Sequence, residues 1–420
     1  MPKDVADAYR NTTSLSFDIF VQVMMRNLGS SAQSVRAMFS PMPAEKDGFP
    51  NPHGKPLGRL ARELHTTQLY PGENLTRLDD KFIESFDDQL DMEKIANTNY
   101  AARDQKGGLT VPLLRWSSDV FIRAGQVAYF GDLLGVIDPN LTSTFLEFDN
   151  LSWQILFQYP RIVSRRMHAA RERLTAVIEK YFSVPVDERG ESAWFTPAME
   201  HEMRIIGIST HDIATMMTTI YWGINTNTRK ASFWMLAYLI KHPRLLEQIR
   251  HETEPAFKGG GLSVDYLKDS CSLLDGVWNE TLRHSAFSAS VRHITEDTII
   301  GGKTLRKGNR LMIPYRQLHF DEGVFGEDAD DFEPARFEKD PKLLRSASWR
   351  PFGGGITMCP GRYVAKESVA IFIAIALRRF DIEFVKGQVF PQAAEGTPVL
   401  GIMNIQNGED PLVRITPRPA

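Results

Sequence analysis

The sequence predicts a mainly α-helical fold with a minor β portion, built as one domain over residues 1–420. Three observations carry this. Apolar residues recur at helical spacing through most of 74–285. From Ser290 the period shortens to β-prone pieces between glycine turns. A glycine-dense loop holding one cysteine then runs into an amphipathic helix, Tyr363 to Phe380.

In chain order, residues 40–58 are rich in Pro, Gly, Asn and Lys and predict a surface loop. Asn74 to Gly131 reads as mainly helical. Leu146 to Pro160 is an aromatic helix stopped by proline, and Arg161 to Phe182 a basic amphipathic one. Ser209 and Thr210 cap a long helix that ends near Lys241, before His242-Pro243. Ser263 starts another, which reaches Ser285. Ser290 to Met312 holds short strands between Gly-Gly and Lys-Gly-Asn turns, and charged turns follow to Pro341. After the cysteine loop and its helix comes a β-prone section with turns at Gly387, Gly401 and Gly408. No repeat and no long linker divides the chain.

Composition narrows the function. A hydrophobic fraction of 42% and a net charge of −3 suit an ordinary globular protein, and no basic stripe suggests nucleic acid. Cys271 and Cys359, the two cysteines, form no C-x-x-C pair, which argues against a disulfide framework or a zinc site. No run approaches the ~20 apolar residues that span a bilayer.

The cysteine loop is Phe352-Gly353-Gly354-Gly355-Ile356-Thr357-Met358-Cys359-Pro360-Gly361-Arg362. A thiolate needs its charge stabilised, and a helix N-terminus offers free N–H groups and a positive dipole end. Glycines at 353, 354, 355 and 361 let a large flat object approach the backbone. Phe352 and Pro360 can shield the sulfur. This suits a cysteine that ligates metal, haem iron foremost.

Phe352, Gly355, Cys359 and Gly361 stand at the four offsets of F-x-x-G-x-x-x-C-x-G, so the loop resembles the haem-binding loop of the cytochrome P-450 family. The resemblance implies the family's fold, with a long distal helix and a proximal cysteine loop. It implies haem b on Cys359 as metal ligand, with Phe352, Gly355 and Gly361 as cofactor-binding residues. Two further family motifs occur in order. Glu280-Thr281-Leu282-Arg283 matches E-x-x-R, and Pro334-Ala335-Arg336-Phe337 matches P-x-R-F. Glu280, Arg283 and Arg336 are then a buried structural triad supporting the loop.

The resemblance places the oxygen-activating segment, A-G-x-[DE]-T-T, on Gly223-Ile224-Asn225-Thr226-Asn227-Thr228. Gly223, Thr226, Asn227 and Thr228 are the catalytic candidates. The acidic position holds Thr226 and the usual threonine is Asn227, so the acid–alcohol proton relay is replaced. Asn227-Thr228 before Ala231-x-Phe233-Trp234 is similar to the cholesterol 7α-hydroxylase, sterol 12α-hydroxylase and prostacyclin synthase group. Thr357, where most members carry a base, Phe148-Asp149, Tyr159-Pro160 and Ala170-Arg171-x-x-Leu174 agree with that group. Lys230 replaces a proline common there, which predicts a straighter helix.

By the same resemblance, Arg292 partners a haem propionate. Trp222, Ile224, Ser285 to Ser288 (with Ala286 and Phe287) and Gly401-Ile402-Met403 wall the substrate pocket, while Arg345, Arg350, Arg362 and Lys366 offer a docking face to an acidic reductase. Lys3 to Asn11 resembles the helix that follows the family's anchor and first strands. Those strands would then be absent and the small sheet left with an unpaired edge. The implied function is a haem-thiolate monooxygenase. It inserts one oxygen atom from O2 into a lipophilic substrate (a sterol, terpenoid, fatty-acid derivative or secondary metabolite), with electrons from NADPH through cytochrome P-450 reductase. Two alternatives stand beside it. One is a rearrangement enzyme of the prostacyclin synthase type that needs no reductase. The other is a catalytically dead haem- or lipid-binding protein. The family form sits on the cytosolic face of the endoplasmic reticulum where it has an anchor; the chain itself reads as soluble.

Overall fold

The computed structural model describes residues 2–397, 399–406 and 409–418, and it is mainly helical. Four helices pack against one another at the centre: Glu73–Gln89, Leu113–Phe130, Thr228–Lys241 and Arg362–Arg379. They join because each carries a broad apolar face. Leu113–Phe130 is buried over most of its circumference, and Arg362–Arg379 is buried on every side from Ile371 to Leu377. The predicted amphipathic helix after the cysteine is therefore an interior helix. It ends at Arg379, and Phe380 opens a strand.

Nine strands are described. β1 (Leu15–Ser16), β4 (Ala289–Ile294) and β7 (Arg310–Pro314) form an antiparallel sheet in the order β1-β4-β7, with Leu15 opposite Ile294 and Val291 opposite Met312. β5 (Thr298–Ile300) and β6 (Lys303–Leu305) make a hairpin. β2 (Ala102–Arg103), β3 (Leu109–Pro112), β8 (Phe380–Phe384) and β9 (Leu412–Pro417) form a sheet in the order β2-β3-β9-β8. β1 and β7 are the edge strands of the β1-β4-β7 sheet among the described residues.

Several boundaries depart from expectation for local reasons. The 74–131 stretch is not helical throughout, because the hairpin β2–β3 interrupts it. Asp104 Oδ1 accepts from the backbone of Lys106 (2.8 Å) and Gly108 (2.9 Å), and Gly107 supplies the positive φ of 81°. The aromatic segment is a helix, Leu141–Leu151, followed by a single turn, Trp153–Leu156, well before Pro160. The basic helix runs Arg165–Ser183. Ser263 caps Val264–Ser270 through the Tyr266 N–H, and a break at Cys271 starts Ser272–Ser285 anew.

The long distal helix begins as predicted, with the Ser209 hydroxyl accepting from Asp212 N at 3.2 Å. No proline stands at 230, yet the helix is not continuous. It is interrupted at Asn227, between Thr210–Thr226 and Thr228–Lys241. The Thr228 hydroxyl bonds back to Ile224 O (3.2 Å), the i−4 pattern that bends helices. Gly387 and Gly401 sit at turns with φ of 91° and 151°, while Gly408 lies outside the described residues. No helix among the described residues is long and apolar enough to cross a membrane.

Candidate functional site

Between the interrupted distal helix and the cysteine loop lies a cavity of about 540 Å³, largely apolar. The loop is shaped by its glycines. Gly353 and Gly355 have φ of 74° and 62°, and Cys359 N bonds back to Phe352 O at 2.9 Å. The sulfur thus stands at the cavity face beside Phe352, Pro360 and Gly361. Cys359 is exposed, but to this interior space, which is why removal from bulk water still pushes its thiol up, against the pull of the Gly361 N–H and Arg362. A metal cation on the sulfur reverses that cost, since a coordinating thiol is deprotonated outright. Gly355 does not line the cavity. A methyl at 355 would lie 2.8 Å from Tyr9 O, so this glycine admits the N-terminal helix Pro2–Arg10 against the loop's other side.

On the distal side Gly223, Ile224, Asn227 and Thr228 face the cavity. At Gly223 an added methyl would meet nothing within 4 Å, so the space belongs to the cavity and not to packing. Thr226 and Trp222, expected at the site, point elsewhere. They are one helical turn apart on the opposite face, and both donate to Asp149, Trp222 at 2.8 Å. Asp149 is fully buried and also holds Arg229 and Lys230, the latter at 3.1 Å. Burial alone would raise its carboxyl, but the two cations hold it far below the usual range, while burial lowers Lys230.

Asn227 reaches across to the 400–402 turn. Its Oδ1 accepts from Ile402 N (3.0 Å), and a methyl at Gly401 would come within 2.2 Å of that oxygen. Of the predicted pocket walls, Ile224, Ser288, Gly401 and Ile402 line the cavity. Ala286 and Phe287 do not. Ala286 forms a β-bridge to Ile402, and Phe287 donates its N–H to Gly401 O and tucks its ring under Arg316. Met403 is likewise tied up, its carbonyl accepting from Trp234 Nε1.

Behind the loop the triad is assembled and buried. Arg283 makes a two-pronged pair with Glu280 (2.7 and 2.9 Å), and Arg336 Nε reaches the same carboxylate at 3.3 Å. The guanidiniums then cap backbone carbonyls of His319, Ala329 and Asp328. Burial would raise Glu280, but the bonds from Arg283 and His284 override it and leave it at about 2. Gly276 on the same helix lets the Pro334 carbonyl approach, for a methyl there would sit 2.5 Å from it.

Sequence reasoning missed other walls: His65, Tyr129, Gly125, Phe17, Phe20 and Tyr315. His65 follows the apolar stripe Leu57, Leu60, Leu64 and stacks on Phe195 at 4.3 Å; burial lowers it to about 4 and keeps it neutral. The stripe marks a helix but not which edge meets a cavity. Arg292 lines the cavity as expected, bonded to Ser290 (2.9 Å) and to Thr357, with no carboxylate partner among the described residues. Arg350, expected on a docking face, is turned inward against the Tyr9 ring, while Lys366 pairs with Asp275 at 2.6 Å and Arg362 bonds the Tyr70 hydroxyl. A largely apolar cavity lined by one thiol and one unneutralised guanidinium fits a macrocycle that is apolar in the middle and acidic at the rim. Among the described residues no cluster of three His, Cys, Asp or Glu offers a competing metal site.

Comparison with known proteins agrees with that fit. A family model described as Cytochrome P450 matches residues 132–409. The chain is 26% identical to "Cytochrome P450 monooxygenase nodJ" of Hypoxylon pulicicidum, over 85% of this chain and 70% of the relative. It is 26% identical to "5-beta-cholestane-3-alpha,7-alpha-diol 12-alpha-hydroxylase" of Sus scrofa, over 65% of this chain and 60% of that one. Among solved structures, "Crystal structure of cytochrome P450DA heme domain" superposes with a TM-score of 0.72 at 15% identity, covering all of this chain and 87% of the other.

Proposed function

The chain belongs to the cytochrome P450 family, and on that premise we propose that Cys359 binds the iron and that the cavity above it seats a rigid sterol- or terpenoid-like substrate for hydroxylation. At the family level it is a haem-thiolate monooxygenase acting on lipophilic substrates, with haem b as cofactor and NADPH electrons delivered by a reductase. When bound, the haem supplies dioxygen activation and insertion of one oxygen atom.

The observation that carries the substrate reading is the apolar distal wall. Ile220, Ile224, Phe17, Phe20, Leu400 and Ile402 line it, with Thr219, Asn227, Thr228 and Ser288 among the polar groups that can orient a ligand. The resemblance to a cholestane-diol hydroxylase supports the same class. Asn227 and Thr228 stand at the helix break and line the cavity. In our reading the second amide hydrogen of Asn227 and the Thr228 hydroxyl take over the hydrogen-bonding work of the missing acid. Asn227 also ties the 400–402 turn to the helix, so substrate wall and distal groups move together. Phe352 and Pro360 keep water from the sulfur, and the Glu280–Arg283–Arg336 triad holds the loop from behind. The apolar core, continuous from Met25 to Ile415, supports one haem-thiolate domain over the chain.

The test is turnover of a sterol and terpenoid panel by haem-loaded protein, reductase and NADPH under labelled O2. One labelled oxygen per product, with dependence on both NADPH and O2, is the expected result. Isomerised product without NADPH would favour the rearrangement reading instead. Haem binding with no product under either condition would favour the dead-enzyme reading.

A further inference from the structure

Two arginines near the loop, Arg292 buried and Arg350 half-buried, have no anion beside them among the described residues. Arg292 is 6% exposed and Arg350 has a fully enclosed Nε with no hydrogen-bond partner. Neither forms an ion pair with a carboxylate among the described residues. Arg350 meets only the Trp349 carbonyl (3.2 Å), and Arg292 only hydroxyls and a carbonyl. A guanidinium cannot shed its proton, so one held partly or wholly from water without an anion is left uncompensated. Both cations converge on one aromatic pair. Arg292 Cζ lies 5.4 Å and Arg350 Cζ 5.6 Å from the Tyr9 ring, and the Tyr9 hydroxyl meets that of Tyr315 at 3.4 Å. Tyr315 lines the cavity, and its hydroxyl comes within 3.3 Å of where a methyl on Gly353 would stand.

We propose that Arg350, with the Tyr9 and Tyr315 hydroxyls, forms a second carboxylate seat beside Arg292, holding the acidic edge of the haem in place of the basic side chain absent at Thr357. This rests on the haem reading above. Arg350 is a positioning residue: it neutralises a carboxylate at the rim and leaves the iron to Cys359. Two guanidiniums with donor hydroxyls between them match two carboxylates on one edge of a flat ligand.

The test follows haem loss from the holoenzyme to excess apomyoglobin, alongside the carbon monoxide spectrum, for wild type, Arg350→Met, Arg350→Lys and Tyr315→Phe. Arg350→Met is expected to lose haem about tenfold faster, the cost of one charge-assisted hydrogen bond, with the thiolate band intact. Arg350→Lys recovers part of the difference. Tyr315→Phe, which removes only a hydroxyl, shows a smaller acceleration and reads the seat even if Arg350→Met does not fold. In protein loaded with haem dimethyl ester, whose carboxylates are blocked, wild type and variants lose the cofactor at one rate. Equal rates with native haem, or a difference that persists with the ester, would overturn the seat. If wild type distinguished haem from its ester but lacked the thiolate band, the seat would stand and Cys359 ligation would fall.

Discussion

Asp149 carries the load of two buried cations and two neutral donors on a single carboxylate. Asp149→Asn leaves Arg229 and Lys230 facing each other without an anion, and is expected to cost about 3–5 kcal/mol by thermal unfolding. Lys230→Met, which keeps the Asp149–Arg229 pair, should be close to neutral; a loss as large as that of Asp149→Asn would contradict this division. At Gly401 a methyl needs room already filled by Asn227 Oδ1, at a φ of 151°. Gly401→Ala should therefore displace the Asn227 amide and weaken substrate-induced changes in the haem spectrum more than it lowers haem content. Trp222 and Thr226 show where residue-level reading stops. Sequence placed them on the distal helix, but both faces of that helix are buried, so periodicity does not say which one meets the cavity.

At the scale of elements, the E-x-x-R helix and the P-x-R-F turn act as one unit because Glu280 serves both arginines. Glu280→Gln leaves two guanidiniums sharing a neutral amide, and is expected to yield protein with a sharply reduced haem-to-protein ratio. Retention of full haem loading would show that the triad does not hold the loop. These motifs were legible because fixed spacing put charged partners at i,i+3 on one helix. The proximal helix was found for its apolar run and misjudged as amphipathic, since Arg362, Lys366, Arg378 and Arg379 at its ends mask a centre buried all round. The β2–β3 hairpin escaped notice because its strands are two and four residues long, and its partner β9 lies hundreds of positions away. The break at Asn227 needed the tertiary contact to Ile402 to become visible.

For the whole molecule, burial of neutral imidazoles sets the acid limit. His319 is fully buried, accepts from Arg350 N at 3.1 Å, and is lowered by burial to about 3. The unfolded chain takes a proton near pH 6.5 and the folded one does not, so stability is complete above pH 6.5 and declines as the pH falls toward 3. The slope is about 1.4 kcal/mol per pH unit for each such histidine. Glu280 adds a second loss, since its stabilisation is present above 4.5 and disappears as the pH falls toward 2. Melting temperatures between pH 7 and 4 should fall throughout, and His319→Gln should flatten the upper part of that decline. An unchanged slope in the variant would place the titration elsewhere. The central claim concerns one bond, sulfur to iron, and one spectrum reads it: that of the dithionite-reduced, haem-loaded chain under carbon monoxide. A strongly red-shifted Soret band that vanishes in Cys359→Ala is the predicted result. A band typical of a neutral ligand in wild type, or a thiolate band surviving in Cys359→Ala, would contradict it.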